Sequence, residues 1–355
     1  MTKAVIVTDT HFGARSDSGI FSNYFAKFYE EVFFPYIDNN DIKYCFHLGD
    51  VFDRRKYINY RSLKECKNFF FEPLAKRNIE THIIAGNHDT FYKTTNDVNS
   101  VDLLLREYSN VSIYDEVTEL NVPHISPNPF IMLPWVCSGN YEQSMNVVKN
   151  TKCDVLFGHL EVAGFEAHLG YMHDSGFDKK TFDKFDTVLS GHFHHKSDNG
   201  TIYYLGNPYE ITWQDYQDQK GFHVFDFETR ELEFIHNPFN MFHKYYYNDT
   251  ELKPIDVQDL DFDQYENRYV KIIIQEKDNP YVFDLVMDKM IKAGAYDINV
   301  VENFIDVGLD EEIIDEAEDT ITILSQYIDN MSVSVDKKAL DGFVKTLYNE
   351  ALTMD

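Results

Sequence analysis

Cysteine is scarce in this chain. Four thiols, Cys45, Cys66, Cys137 and Cys153, are scattered through 355 residues with no CxxC spacing. That excludes a disulfide framework and a thiolate zinc site, and it fits a reducing compartment. Positive charge is also short: 32 Lys and Arg face 60 Asp and Glu, a formal net charge of -28. A protein this acidic is repelled at long range by nucleic acid, whose phosphates dominate its affinity for proteins. No apolar run approaches the roughly 18–20 residues of a membrane helix, so no membrane partner is expected. The N-terminal apolar run, Ala4-Val5-Ile6-Val7, is too short for a signal segment, and the cytoplasm is the expected location. Internal repeats and low-complexity tracts are missing as well.

Bulk apolar material is plentiful. Hydrophobic residues make up 43% of the chain and aromatics 15%, with 24 Tyr and 29 Phe. Such a composition excludes wholesale disorder. At roughly 100–200 residues per domain, the length suits two domains and a small appendage. The acid is uneven: residues 241–355 carry 10 basic and 26 acidic side chains.

Short β-branched and aromatic runs predict strands at 3–7, 43–48, 81–85, 111–114, 130–135, 154–157, 187–189, 202–205 and 222–227. Between the first three, residues 21–37 and 61–76 place apolar side chains at three- and four-residue steps, as helices do. Strand–helix–strand alternation implies an α/β sheet with helices on its faces. From about Ser190 strands follow in series, the pattern of antiparallel hairpins. Asn, Pro and Asp accumulate at 237–265, and a domain boundary is expected near 237–249. Beyond it, a strand at 269–275, a helix at 282–293 and a strand at 298–302 form a small βαβ-like unit. Two amphipathic helices are expected at 310–328 and 336–352, the first with Asp310, Glu311 and Glu312 in its opening turn, where acids favour the helix dipole.

Five segments carry candidate chemistry: Asp9-Thr10-His11, Gly49-Asp50-Val51-Phe52-Asp53, Gly86-Asn87-His88-Asp89, Gly158-His159 and Gly191-His192-Phe193-His194. Each follows an apolar strand and opens a loop. Ligands of open α/β sheets gather beyond the carboxyl ends of the strands, so all five can meet in one crevice. Imidazole with carboxylate and no thiolate suits Mn, Fe, Zn or Co. Even a subset of two carboxylates, one amide and four imidazoles from these segments is too many donors for one ion and suits two, which clamp an in-line phosphoryl displacement. The glycines let the backbone turn sharply and approach closely. His173 and His195 are candidates for supporting roles; the remaining histidines are read as ordinary.

The five segments resemble the calcineurin-like metallophosphoesterase superfamily, with its D-x-H, G-D-x-x-D, G-N-H-[ED], G-H and G-H-x-H pattern, over roughly residues 1–235. The stretch from Tyr204 to Glu210, with Lys220-Gly221-Phe222, resembles the SbcD-type DNA exonuclease subunits. The run from His47 to Lys56 resembles that branch too, and its T-even phage members most closely. The resemblance implies a two-sheet sandwich flanked by helices over 1–240, a small α+β capping domain over 241–305 and a helical pair over 306–355. It implies two Mn²⁺ ions, with Mg²⁺ an alternative in the cell. Asp9, His11, Asp50 and His194 would hold one, and Asp50, Asn87, His159 and His192 the other. His88 would act catalytically on the phosphoryl group or leaving oxygen. Asp53, where many SbcD-type relatives carry His, would hydrogen-bond His88 and fix its tautomer.

The activity so implied is a DNA nuclease, a 3′→5′ double-strand exonuclease and single-strand endonuclease. It would serve DNA recombination and double-strand break repair beside an SMC-like ATPase of SbcC type. Arg15, Arg54, Arg55, Lys56 and Lys196 follow motif residues and, with the metals, give local positive charge within a Debye length of ~10 Å. A stand-alone metallophosphatase or cyclic-nucleotide phosphodiesterase is the alternative enzyme, and a DNA-tethering scaffold the non-catalytic one. Helix 21–37, with Phe21, Phe25, Phe28, Val32 and Phe33, can serve either a homodimer contact or the core. The two C-terminal helices can either cover the capping domain or dock on the ATPase. If they dock, deleting residues 310–355 leaves hydrolysis of a small phosphodiester intact and abolishes co-purification with the ATPase. Retained co-purification overturns that reading.

Overall fold

The computed structural model describes residues 2–301, together with Lys337 and Leu340. The helices expected at 310–328 and 336–352 lie outside the described residues, those two positions excepted. Four parallel strands come first: β1 (Lys3–Val7), β2 (Tyr44–His47), β3 (Glu80–Ile84) and β4 (Val111–Tyr114). Next are β5 (Thr118–Leu120), β6 (Phe130–Leu133) and β7 (Val155–His159), then a separate hairpin, β8 (Phe165–His168) and β9 (Tyr171–His173). β10 (Thr187–Gly191), β11 (Ser197–Asp198) and β12 (Ile202–Tyr204) follow, and β13 (Gly221–Asp226) with β14 (Leu232–His236) forms an antiparallel hairpin.

These strands build two six-stranded sheets, in the orders β14-β13-β1-β2-β3-β4 and β11-β12-β10-β7-β6-β5. Side-chain alternation explains why they pack face to face. On β1, Ala4 and Ile6 point between the sheets, where they meet Phe46, Phe130, Phe157 and Leu189. Val5 and Val7 point the other way, under the helices. Sequential strands buried on both faces read as near-continuous apolar runs, which is why the sequence exposed most of them. The expected two-sheet sandwich flanked by helices is what the chain forms.

Helix α1 (residues 19–39) and helix α2 (residues 60–76) cover the outer face of the first sheet. Each contains one π-helical turn, Tyr29–Phe33 and Lys67–Phe71. The cause is proline. Pro35 has no N–H and its ring crowds the carbonyl four residues back, so the turn widens and Phe34 N–H donates to the Tyr29 carbonyl. Pro73 does the same in α2, where Glu72 N–H donates to Lys67. Phe21, Phe25, Phe28 and Phe33 are fully buried in this layer. Phe25 stacks on Tyr209 with ring centroids 3.8 Å apart. These rings belong to the core of the chain and are not available to a dimer contact. Helix α3 (Ser100–Leu105) adds to this layer, and α4 (Tyr141–Asn150) lays Val148 on the second sheet.

A third sheet holds β15 (Phe242–Asn248), β16 (Tyr269–Glu276) and β17 (Asp297–Val301), all parallel, with α5 (Pro280–Lys292) crossing between the last two. The βαβ unit matches expectation; β15 was not foreseen, since a domain boundary is what residues 237–249 suggested. Its Asn- and Pro-rich flanks masked a strand of Phe, Lys and three Tyr. The sheet has its own core around Ile272, Val286 and Met290. Phe242 and Tyr269 reach Phe21, with centroids at 6.0 and 5.5 Å. The Glu210 carboxylate accepts the Met241 and Phe242 amides at 2.5 and 2.9 Å, tying the chain down where it leaves the sandwich. Phe25→Ala should cost about 3–5 kcal/mol in urea unfolding, since it opens a cavity against Tyr209. A loss below about 1 kcal/mol would show that this aromatic layer is not the main core.

Candidate metal centre

The carboxyl ends of β1, β2, β3, β7 and β10 lie along one edge of the sandwich. The loops leaving them carry Asp9 and His11, Asp50, Asn87 and His88, and His192 and His194; His159 is the last residue of β7. The backbone there is strained. Asp9 (φ 51°), His11 (φ 42°), Asp50 (φ 54°) and His192 (φ 90°) all occupy left-handed conformations without being glycine. Such residues cost of order 1–3 kcal/mol each and persist only where the surroundings hold them. Gly86 and Gly49 make the convergence possible. A Cβ on Gly86 would collide with the Asp50 carboxylate, and one on Gly49 would stand 2.6 Å from His159 Nδ1.

Asp89 is the brace. Its buried carboxylate accepts Val51 N–H at 3.0 Å, Phe52 N–H at 3.3 Å and Gly86 N–H at 2.9 Å, binding the second motif loop to the third. Lys220 supports the fifth from below: its buried ammonium donates to the His194 carbonyl at 2.9 Å and pairs with Asp215 (2.6 Å) and Asp218 (2.8 Å).

Two groups of side chains could each hold an ion, Asp9 with His11 and His194, and Asp50 with His159 and His192. His11 Nε2 and His194 Nε2 face each other at 3.1 Å. His11 Nε2 also lies 3.9 Å from both Asp9 Oδ1 and Asp50 Oδ2, which sets Asp50 between the groups. His159 Nε2 stands 3.3 Å from Asp50 Oδ2, and Asn87 Oδ1 is 2.9 Å from both His159 Nε2 and His192 Nδ1. His159 Nδ1 donates to the Leu48 carbonyl at 2.7 Å, which turns Nε2 towards the crevice. All seven sequence-identified donors therefore converge.

The electrostatics fit a centre built for cations. Burial pushes the Asp9 carboxyl up to about 7, and the neighbouring Asp50 charge adds to this against the pull of His159. Burial also lowers His11, His192 and His194 well below the usual imidazole range, with neighbouring cationic groups adding to the effect. His159 goes the other way. Burial alone would lower it, but Asp50, Asp9 and the Leu48 carbonyl outweigh that and raise it to about 9. In the protein alone, one protonated imidazole thus compensates carboxylates whose oxygens point at lone-pair nitrogens. Divalent ions would satisfy this donor set better than protons do.

His88 lies at the edge of the centre, its ring edge-on to His11 with centroids 5.0 Å apart. Its expected partnership with Asp53 needs correction. His88 Nδ1 donates at 2.6 Å to the main-chain carbonyl of Asp53, not to its carboxylate. The carboxylate instead lies 3.7 Å from His11 Nδ1 and acts on His88 through its charge. The physical reason is reach: the turn after Phe52 brings the peptide to His88 and carries the side chain past it. A main-chain carbonyl only accepts, so it keeps the proton on His88 Nδ1 whatever the residue type at position 53.

Some neighbours carried no readable signal. Trp135, just past β6, sits over His192 with centroids 5.1 Å apart. His168, on the β8–β9 hairpin, meets His194 edge-on at 6.0 Å. Neither stands in a motif, and only tertiary contact brings them in. Of the two supporting candidates, His195 bonds Asp218 at 2.9 Å and so joins the Lys220 network, while His173 pairs with Glu161 at 2.8 Å and packs its ring on Phe193, between two of the donors. Among the basic residues expected beside the site, Arg54 is committed to Asp17 at 3.1 Å and stacks over Tyr57.

The calcineurin-like phosphoesterase model matches residues 2–196. Exonuclease subunit 1 of Enterobacteria phage T4 is 28% identical over 319 residues, spanning 89% of this chain and 90% of that protein. The SbcD subunit of the SbcCD nuclease of Staphylococcus epidermidis is 24% identical over 330 residues, 80% of this chain and 81% of that one. Among solved structures, an archaeal phosphodiesterase aligns with 66% of this chain and 99% of its own length, at 14% identity and a TM-score of 0.34.

Metal binding to this centre should expel protons. At pH 7 His159, raised to about 9, is protonated, and Asp9, raised to about 7, is half so. Loading stripped protein with Mn²⁺ should release roughly one to two protons, and the apparent affinity should climb with pH up to about 9. Calorimetry in two buffers of different ionisation enthalpy counts them; pH-independent binding without proton release contradicts this assignment.

Proposed function

The chain belongs to the calcineurin-like phosphoesterase family, and we propose that it is a Mn²⁺-dependent DNA nuclease, the nuclease subunit of a complex with an SMC-like ATPase of SbcC type. The observation that carries this reading is the convergence of Asp9, His11, Asp50, Asn87, His159, His192 and His194 on one buried crevice, with His88 at its edge. Likeness along nearly the whole chain to two nuclease subunits supports DNA as substrate. The proposed activity is 3′→5′ exonuclease on duplex ends and endonuclease on single strands, in recombination and break repair, within the cytoplasm of the cell or of a phage host. A homodimer through another surface than the buried rings of α1 belongs to the same proposal.

In this reading residues 1–240 form the nuclease domain, 241–305 the capping domain and 306–355 the ATPase-binding region. Asp9, His11 and His194 would hold one ion and Asn87, His159 and His192 the other, with Asp50 set between the two groups. When bound, the ions supply Lewis acidity to the phosphoryl group and an acidified attacking water. The chain's own contribution is position. His159 Nδ1 and His88 Nδ1 are tied to main-chain carbonyls, so their Nε2 atoms are presented to the crevice. His88 donates a proton to the leaving 3′ oxygen or steadies the charge on the phosphoryl oxygens, work worth typically 10²–10⁴-fold. Asp53, lodged by His11, tunes the local field. The net charge of -28 leaves most of the DNA grip to the metals and the ATPase.

The decisive experiment incubates wild-type and His88→Ser protein with end-labelled duplex and Mn²⁺, with and without the ATPase. The wild type should shorten the duplex from its 3′ ends, faster with the ATPase. His88→Ser should lose on the order of 10²-fold or more while still binding Mn²⁺. Turnover of small phosphoesters with no duplex cleavage and no response to the ATPase would favour a stand-alone phosphatase. Intact duplex cleavage by His88→Ser would remove the role given to His88.

A further inference from the structure

The sandwich has an open edge where β11 and β12 face β13 and β14. A cavity of about 290 Å³ lies there, with Lys196, Tyr203, Leu205, His223, Arg230 and Phe234 in its walls. Its polar lining does not follow from packing. On β13, Phe222 and Val224 face the helices, while Phe225 faces the space between the sheets. Alternation therefore turns His223 inward as well, at a position where the fold asks for an apolar side chain. His223 is buried, and its Nδ1 has no hydrogen-bond partner among the described residues. Burial, with Lys196 adding to it, holds the imidazole down at about 3, so it is neutral. A buried polar nitrogen without a partner costs free energy, so this imidazole is not there for packing alone.

Lys196 has the complementary property. In a chain with 60 acidic residues, its ammonium makes no ion pair among the described residues. It lies over the Phe234 ring, 3.9 Å from the centroid. Of the other charged residues at the cavity, Arg230 pairs with Asp154 at 3.0 Å, and Asp198, on the exposed rim, accepts the Gly200 amide at 3.0 Å. The cavity thus combines an unanswered cation, a neutral hydrogen-bonding imidazole and two aromatic rings, over an apolar floor that includes Leu205. Small-molecule sites have this make-up, mostly apolar with a few placed polar groups.

We propose that this cavity binds an aromatic anion, a nucleoside monophosphate, with the base against Tyr203 and the phosphate on Lys196, beside His223. Choosing a nucleotide among aromatic anions rests on the nuclease reading, whose products have that chemistry; the orphaned His223 and the unpaired Lys196 do not depend on it. Lys196 stands two residues beyond His194, so the cavity and the metal centre share one loop.

The test uses the full chain in EDTA, which keeps the metal centre from competing, and reads binding by calorimetry and thermal melting. Deoxyadenosine 5′-monophosphate should bind and raise the melting temperature. Deoxyadenosine alone and inorganic phosphate alone should each bind at least about tenfold more weakly. Lys196→Met should weaken the nucleotide at least about tenfold. His223→Leu should melt higher than wild type without ligand and show no nucleotide-induced shift. Equal nucleotide binding by wild type and Lys196→Met overturns the inference, as does no binding at millimolar nucleotide. Lys196→Met keeps the test available should His223→Leu not fold. A chain that cleaves DNA but takes up no nucleotide loses this inference alone. One that takes up nucleotide but cleaves nothing loses the nuclease reading alone.

Discussion

Two carboxylates, Asp9 and Asp50, are buried in one crevice among imidazoles, and the rest of the molecule is arranged to tolerate them. A buried carboxylate without a cation is costly, and it either takes up a proton or acquires a partner. Both answers are visible here. Asp9 is pushed up to about 7, while Asp50 stays ionised because His159 takes the proton. An arrangement so unfavourable by itself makes sense as a receptacle whose occupants are divalent ions.

Holding it takes two kinds of support. The sandwich brings the carboxyl ends of strands from both sheets to one edge, and the rigid core beneath, dense in Phe and Tyr, fixes that edge. Around the crevice, side chains that touch no substrate hold the loops: Asp89 joins the second and third, Lys220 carries the fifth, and Tyr209 donates to the Thr10 carbonyl at 2.6 Å in the first. The left-handed backbone at four of the donors is the conformational cost of aiming them, and these braces offset it.

Much of the site was legible because its chemistry is local. A strand followed by Asp-x-His or Gly-Asn-His-Asp names both the donors and the place where they emerge. The Asp53–His88 contact was foreseen as a pair but not as a bond from imidazole to peptide, since sequence names side chains and is silent on where a carbonyl points. Trp135 and His168 were invisible for a different reason: they stand on elements with no spacing relation to the motifs. In the fold, β15 was hidden by its Asn- and Pro-rich flanks, and the π turns by a helical periodicity that continues through them. The rings of α1 read equally as core or dimer face, because amphipathic periodicity does not say what covers the apolar stripe.

The sequence by itself determined the donor inventory, the strand-end positions of the five motifs, the α/β class and the acidic balance, for these follow from residue type and short-range spacing. Only the tertiary structure decided which donors stand together, that Asp50 lies between the two groups, that a main-chain carbonyl holds His88, and that an imidazole and an ammonium were left unanswered at the sandwich edge. Those facts depend on distances between residues separated by up to about 190 positions, and such distances exist only once two sheets have closed over a common core.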